Sequence, residues 1–103
     1  MRTIRGRVDS AQTLLEGERL KAKLRVTADS GEAYEAYLPD RELAALIPRS
    51  VLVGEEPIAP PQLLQTIEPM LARLTQSRRV RLWSYRERRY ASFLSWRSVH
   101  FAA

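Results

Sequence analysis

The chain of 103 residues has no cysteine and a single histidine. That removes disulfides, thiolate metal sites and a cysteine nucleophile, and it leaves little room for imidazole chemistry. His100 stands three residues from the last position and is expected to have no catalytic or metal role. Glycine is scarce, with four residues, and none falls in a G-x-x-x-x-G-K-[ST] or G-x-G-x-x-G arrangement, so the local backbone cradles for nucleotide phosphates are missing. No stretch approaches the roughly 18 apolar residues of a membrane span. The opening MRTIRGRVDS also lacks the apolar core of a signal peptide. The expectation is a soluble cytoplasmic protein with no cofactor, no metal and no membrane partner.

What is present is ordinary for a globular chain: 45% hydrophobic and 28% charged residues, enough at this length for one core and hence a single domain, residues 1–103. The charge is unevenly placed. Residues 78–103 hold seven arginines against one acid, Glu87, a net +6, whereas residues 1–77 hold ten basic and eleven acidic groups. The acids of the first part, Glu16/Glu18, Glu32/Glu35, Asp40/Glu42 and Glu55/Glu56, fall in expected turns, outer strand faces and a helix start, where they read as solvated or capping groups. With no catalytic constellation beyond them, the chain is not expected to be an enzyme.

Leu20, Ala22, Leu24, Val26 and Ala28 alternate with basic residues or threonine, the period of a half-buried strand. Asp29-Ser30-Gly31 then suits a three-residue hairpin loop with Gly31 in the left-handed position. This register pairs Val26 with Tyr34, Leu24 with Ala36 and Arg25 with Glu35. Ahead of the hairpin, Thr3 to Val8 reads as an edge strand with Ile4, Gly6 and Val8 on one face; Ser10 to Gly17 extends either neighbour. Asp40 begins a short helix closed by Pro48, Val51–Val53 suits a short buried strand, and Glu55–Pro61 is an extended proline-rich connector. Leu63, Leu64, Ile67, Leu71 and Leu74 make one face of a helix from about Pro61 to Gln76, kinked by Pro69 inside it, with two short helices split at Glu68 as the alternative. The fold class that follows is α+β: a mostly antiparallel, curved sheet or small partly open barrel, in the order β-β-β-α-β-α-β-β, packed on one long helix.

The last quarter alternates again. Pairing Tyr85 with Tyr90 puts Val80, Leu82, Ala91 and Phe93 on one face and Arg79, Arg81, Trp83, Tyr85, Tyr90 and Trp96 on the other. Arginines beside flat rings suit a polyanion with stackable bases, since arginine neutralises phosphate and an aromatic face accepts any base. The same residues suit a sheet face covered by the helix, with arginines lying on the rings. A second basic row, Arg5, Arg7, Lys21 and Lys23 with Arg19 and Arg25, lies on the outer face of the first two strands, where charge can also serve to protect an edge. The expected function is a small binding module for RNA or single-stranded DNA. The competing expectation is an accessory or assembly subunit that docks the same face on an acidic protein, because arginine, tryptophan and tyrosine also dominate interface hot spots.

Overall fold

The computed structural model describes residues 3–17, 19–47 and 60–94, with side chains in the second helix from residue 64 onward. Among the described residues, five strands and two helices follow in the order β1 (Ile4–Glu16), β2 (Arg19–Ala28), β3 (Ala33–Tyr37), α1 (Asp40–Leu46), α2 (Pro60–Thr75), β4 (Arg79–Tyr85) and β5 (Arg88–Phe93). The strands close into a ring in the order β1-β2-β3-β5-β4, with β4 returning to β1. Four of the five seams are antiparallel; the seam between β3 and β5 is parallel and rests on the single pair Tyr37 and Tyr90. The domain is therefore α+β, as its alternation implies, but the sheet is closed rather than partly open. The expected strand at Val51–Val53 lies outside the described residues, as does Pro48. No helix among the described residues is long and apolar enough to cross a membrane.

The β2–β3 hairpin has the register that its loop dictates: Val26 faces Tyr34, Leu24 faces Ala36 and Arg25 faces Glu35. Gly31 has φ 96°, the left-handed value the loop needs, and its N–H donates to the Ala28 carbonyl at 2.8 Å.

β1 departs from expectation. It is thirteen residues long, and its first half is flanked on both sides: Gly6 lies between Ala28 of β2 and Val80 of β4. It is not an edge strand. Between Val8 and Ser10 the pairing with β2 slips by one residue, a bulge at Asp9. Ile4, Gly6 and Val8 face inward before it; Ala11, Thr13 and Leu15 take that side after it. The bulge hides the strand's period from a reader of the sequence.

Both helices contribute to the core, so the sheet is not packed on one long helix alone. From α1, Leu43 joins Ile47, just beyond the helix end, in the buried cluster formed by Val8, Leu24, Val26, Ala36, Leu38, Val80 and Phe93. α2 packs chiefly on β1 and inserts Ile67 and Leu71, both fully buried. Its first turn includes Pro60 and Pro61, which cost nothing there because first-turn N–H groups have no helical partner; these two residues of the expected connector are helical, and the rest of it lies outside the described residues. Pro69 sits within a continuous α2. Beside it, Glu68 accepts hydrogen bonds from the Thr13 amide and hydroxyl, both at 2.9 Å, which fastens the helix to β1. Leu74, expected on the buried stripe, is exposed, and Thr75 is buried in its place with its hydroxyl donating to the Leu71 carbonyl.

Glu42, expected to be a solvated or capping acid, is only 3% exposed. One of its carboxylate oxygens accepts the Phe93 amide at 3.0 Å, joining α1 to the end of β5.

The β4–β5 hairpin keeps the expected faces but pairs two residues away from the expected register: Trp83 faces Tyr90 and Tyr85 faces Arg88. A slip of two preserves which side each residue faces. The turn is Arg86-Glu87, with φ of 50° and 64°. Two consecutive left-handed residues are the requirement of a type I′ turn, which favours Asn-Gly and penalises side chains like these by roughly 1 kcal/mol or more each. Substituting Arg86→Asn together with Glu87→Gly should therefore raise stability by about 1 kcal/mol, and the thermal midpoint by about 4–8 °C, in a circular-dichroism melt. An unchanged or lower midpoint would contradict the turn assignment.

Candidate functional site

The ring's outer surface is built from alternate residues of each strand. Where β1 meets β4, Arg5 stands directly opposite Arg81 and Arg7 directly opposite Arg79. Like charges in directly facing positions repel, and among the described residues one of the four has a carboxylate partner. Arg79 makes a bidentate pair with Asp29 at 2.6 and 2.8 Å. Arg5, Arg7 and Arg81 have no ion pair among the described residues. The hydrogen bonds from Arg79 hold the Asp29 carboxyl below its ordinary pKa, with smaller help from the charges of Arg79, Arg5 and Arg7.

Continuing around the ring, Trp83 and Tyr90 stack with centroids 4.7 Å apart and planes inclined by 20°. The indole N–H donates to the Ser92 hydroxyl at 2.8 Å, so both rings are held in place on the outer face and are half-buried by each other. Tyr90 is the cross-strand neighbour of Tyr37, and Tyr37 of Lys23, which in turn faces Gln12. One residue from each strand thus forms a row, Gln12, Lys23, Tyr37, Tyr90 and Trp83, with three adjacent aromatics at one end.

Three arginines of the β4–β5 hairpin lie on tyrosine rings. Arg86 is 5.3 Å from the Tyr85 centroid, Arg88 4.2 Å from Tyr37 and Arg89 4.4 Å from Tyr34. Arg88 also grips Glu16 through two hydrogen bonds at 3.0 and 2.9 Å, which ties the tip of the β1–β2 hairpin to that of β4–β5 over Tyr37. These hydrogen bonds, more than the charge of Arg88, depress the pKa of Glu16 below its ordinary 4.5. A carboxyl depressed by folding stabilises the native state above its unfolded pKa, and that contribution disappears as pH falls through the folded value. The melting temperature should consequently fall on acidification below about pH 4.5. Glu16→Gln should flatten part of the decline, and an identical acid profile for the variant would show that the tie contributes nothing to it.

The residues singled out from sequence divide into two groups. Arg5, Arg7, Arg79, Arg81, Trp83, Tyr85 and Tyr90 share the outer surface of β1, β4 and β5. Lys21 and Lys23 stand on β2, Lys23 next to Tyr37 in the row just described, and both are paired with acids, Lys21 with Asp40 at 2.8 Å and Lys23 with Glu35 at 3.1 Å. The Glu35 hydrogen bond raises the pKa of Lys23. Trp96 lies outside the described residues. Sequence reasoning passed over Tyr34, Tyr37, Arg88 and Arg89. The Lys23–Tyr37 pairing was available from the hairpin register, but the contact of β3 with β5 that gives Tyr37 its place was not. Among the described residues no group of three metal-ligating side chains converges. Comparison of the chain with protein-family models, curated protein sequences and solved structures gives no match.

Proposed function

We propose that the chain is a non-catalytic, cytoplasmic module that binds single-stranded nucleic acid, RNA or DNA, across the outer surface of β5, β4 and the first half of β1. The observation that carries this reading is the double arginine opposition on the β1–β4 seam beside the Trp83–Tyr90 stack. Two facing arginine pairs with one paired carboxylate among the described residues oppose folding locally, and such conflicts are expected where function requires them. Edge protection does not account for them, because the first half of β1 has a strand on either side. A phosphate backbone would supply the missing anions, and the aromatic row the stacking surface. Small five-stranded barrels of the partly open kind are one scaffold on which oligonucleotides bind to a strand face; this ring shares the strand number but is closed, so the reading rests on the residues rather than on the architecture.

A labelled single-stranded oligonucleotide at low salt provides the test. Wild type should retain it, and Trp83→Ala should weaken retention by about 5- to 150-fold, the worth of one stacked base. Absence of retention by wild type, or recovery of one stoichiometric protein partner that survives nuclease treatment, would replace this reading with docking on an acidic protein.

A further inference from the structure

Beside the open face lies a cleft of about 290 Å³ between the start of β1 and β4, lined by Thr3, Ile4, Arg81, Leu82, Trp83, Ser84 and Arg89. Its chemistry is uneven in an informative way. Two guanidinium groups reach it, neither in an ion pair among the described residues. Arg89 is held against the Tyr34 ring, so little of its freedom remains to be lost on binding. The polar atom of Trp83 is already committed to Ser92, which leaves the indole to contribute a flat apolar wall. Ile4 adds a second apolar surface, and Thr3 and Ser84 add hydroxyls.

An adjoining depression of about 390 Å³ shares Thr3 and Ile4 and is lined by Asp29 and Glu32 together with Arg5, so its two carboxylates outnumber its one cation and disfavour an anion. The mouth of the ring is therefore sided, with two carboxylates and the single cation Arg5 toward β2–β3, and two arginines with no carboxylate beside them toward β4. A ligand matching the arginine side carries a compact anion next to a flat ring, and the volume suits one small unit of that kind.

We propose that this cleft seats a single nucleotide unit, with its phosphate between Arg81 and Arg89 and its base against Trp83. The inference rests on the ligand class proposed above and adds a bounded site to an open surface. The unit is either a free nucleoside monophosphate or the terminal nucleotide of a strand.

Calorimetric titration of the full chain distinguishes these cases. Adenosine monophosphate should bind at one site per chain, at least tenfold tighter than inorganic phosphate or adenosine. Arg89→Gln should weaken it at least tenfold, the worth of one charge-assisted hydrogen bond. Because that change also disturbs the Tyr34 contact, Ser84→Glu serves as a second variant. Ser84 is exposed and directly opposite Arg89, so a carboxylate there pairs with the arginine, preserves the fold and fills the anion position. It too should lose at least tenfold in affinity with no fall in thermal midpoint.

A 5′-phosphorylated oligonucleotide that competes tenfold better than its 5′-hydroxyl counterpart identifies the strand end as the natural unit; equal competition identifies the free nucleotide. The proposal is overturned if adenosine monophosphate binds no tighter than phosphate, or if both variants bind it as wild type does. An oligonucleotide retained while the mononucleotide is ignored removes the cleft and leaves the open face; the reverse result removes the open face alone.

Discussion

Replacing Gly6 with alanine is expected to lower the thermal midpoint by roughly 12–24 °C, from a cost of about 3 kcal/mol in a domain of this size. Gly6 is buried where β1 is held between β2 and β4. A methyl group there would lie 2.5 Å from the Thr27 carbonyl oxygen, 2.8 Å from a Val26 methyl and 2.9 Å from the Ala28 Cα. Overpacking is mild when a flexible side chain can swing aside. Here two of the three obstacles are backbone atoms of the paired strand, so relief requires β1 and β2 to move apart and lengthens their hydrogen bonds. The loss is a large share of the 5–15 kcal/mol that holds a typical domain together. Gly31→Ala is a useful contrast: nothing lies within 4 Å of its would-be methyl, and its cost comes from a φ of 96° alone. A midpoint for Gly6→Ala within about 5 °C of wild type would contradict the close approach of the two strands.

The second large effect concerns Arg81→Glu, which is expected to move stability and binding in opposite directions. Opposite Arg5, the new carboxylate replaces a repulsive cross-strand pair with an attractive one, a gain of about 0.2–1 kcal/mol. For a single-stranded ligand the same change removes one cation and adds an anion. Oligonucleotide affinity should drop about tenfold or more, and the slope of log affinity against log salt should shrink by about 1. Combined with Trp83→Ala, retention at low salt should vanish. If Arg81 were instead a structural group packed against its neighbours, stability and binding would fall together. Paired thermal melts and salt titrations separate these outcomes, and a destabilised variant with an unchanged salt slope would refute the assignment of Arg81 to a ligand surface.

How much of this was legible in the chain depended on distance along it. The β2–β3 hairpin was readable to the residue, because Asp29-Ser30-Gly31 determines the loop and the alternation on either side determines the faces. The β4–β5 hairpin was readable by face only: Arg86-Glu87 carries no glycine or asparagine to mark a type I′ turn, so the register was placed two residues away while Trp83 and Tyr90 stayed on the outer side. What could not be read was every contact that closes the ring. The β1–β4 and β3–β5 seams join segments far apart in sequence, and no local pattern announces them. With them went the opposition of Arg5 to Arg81, the place of Tyr37 next to Tyr90, and the ties of Glu16 to Arg88 and Asp29 to Arg79. The burial of Glu42 escapes a sequence reading for a related reason. Its acid suited a helix start, and its burial depends on the Phe93 amide at the opposite end of the chain.

The bulge at Asp9 has a consequence for how this chain can change length. A single inserted residue reverses which side chains of β1 face inward, and both halves of the strand are committed: Gly6 and Val8 to the core before it, Thr13 to its contact with α2 after it. Deleting one residue between positions 8 and 10 would place the wrong side of one half against the interior, turning Arg5 and Arg7 inward or Thr13 outward. A point substitution at Asp9 removes only an exposed hydrogen bond from the Thr27 hydroxyl, whereas a one-residue deletion there turns half a strand around.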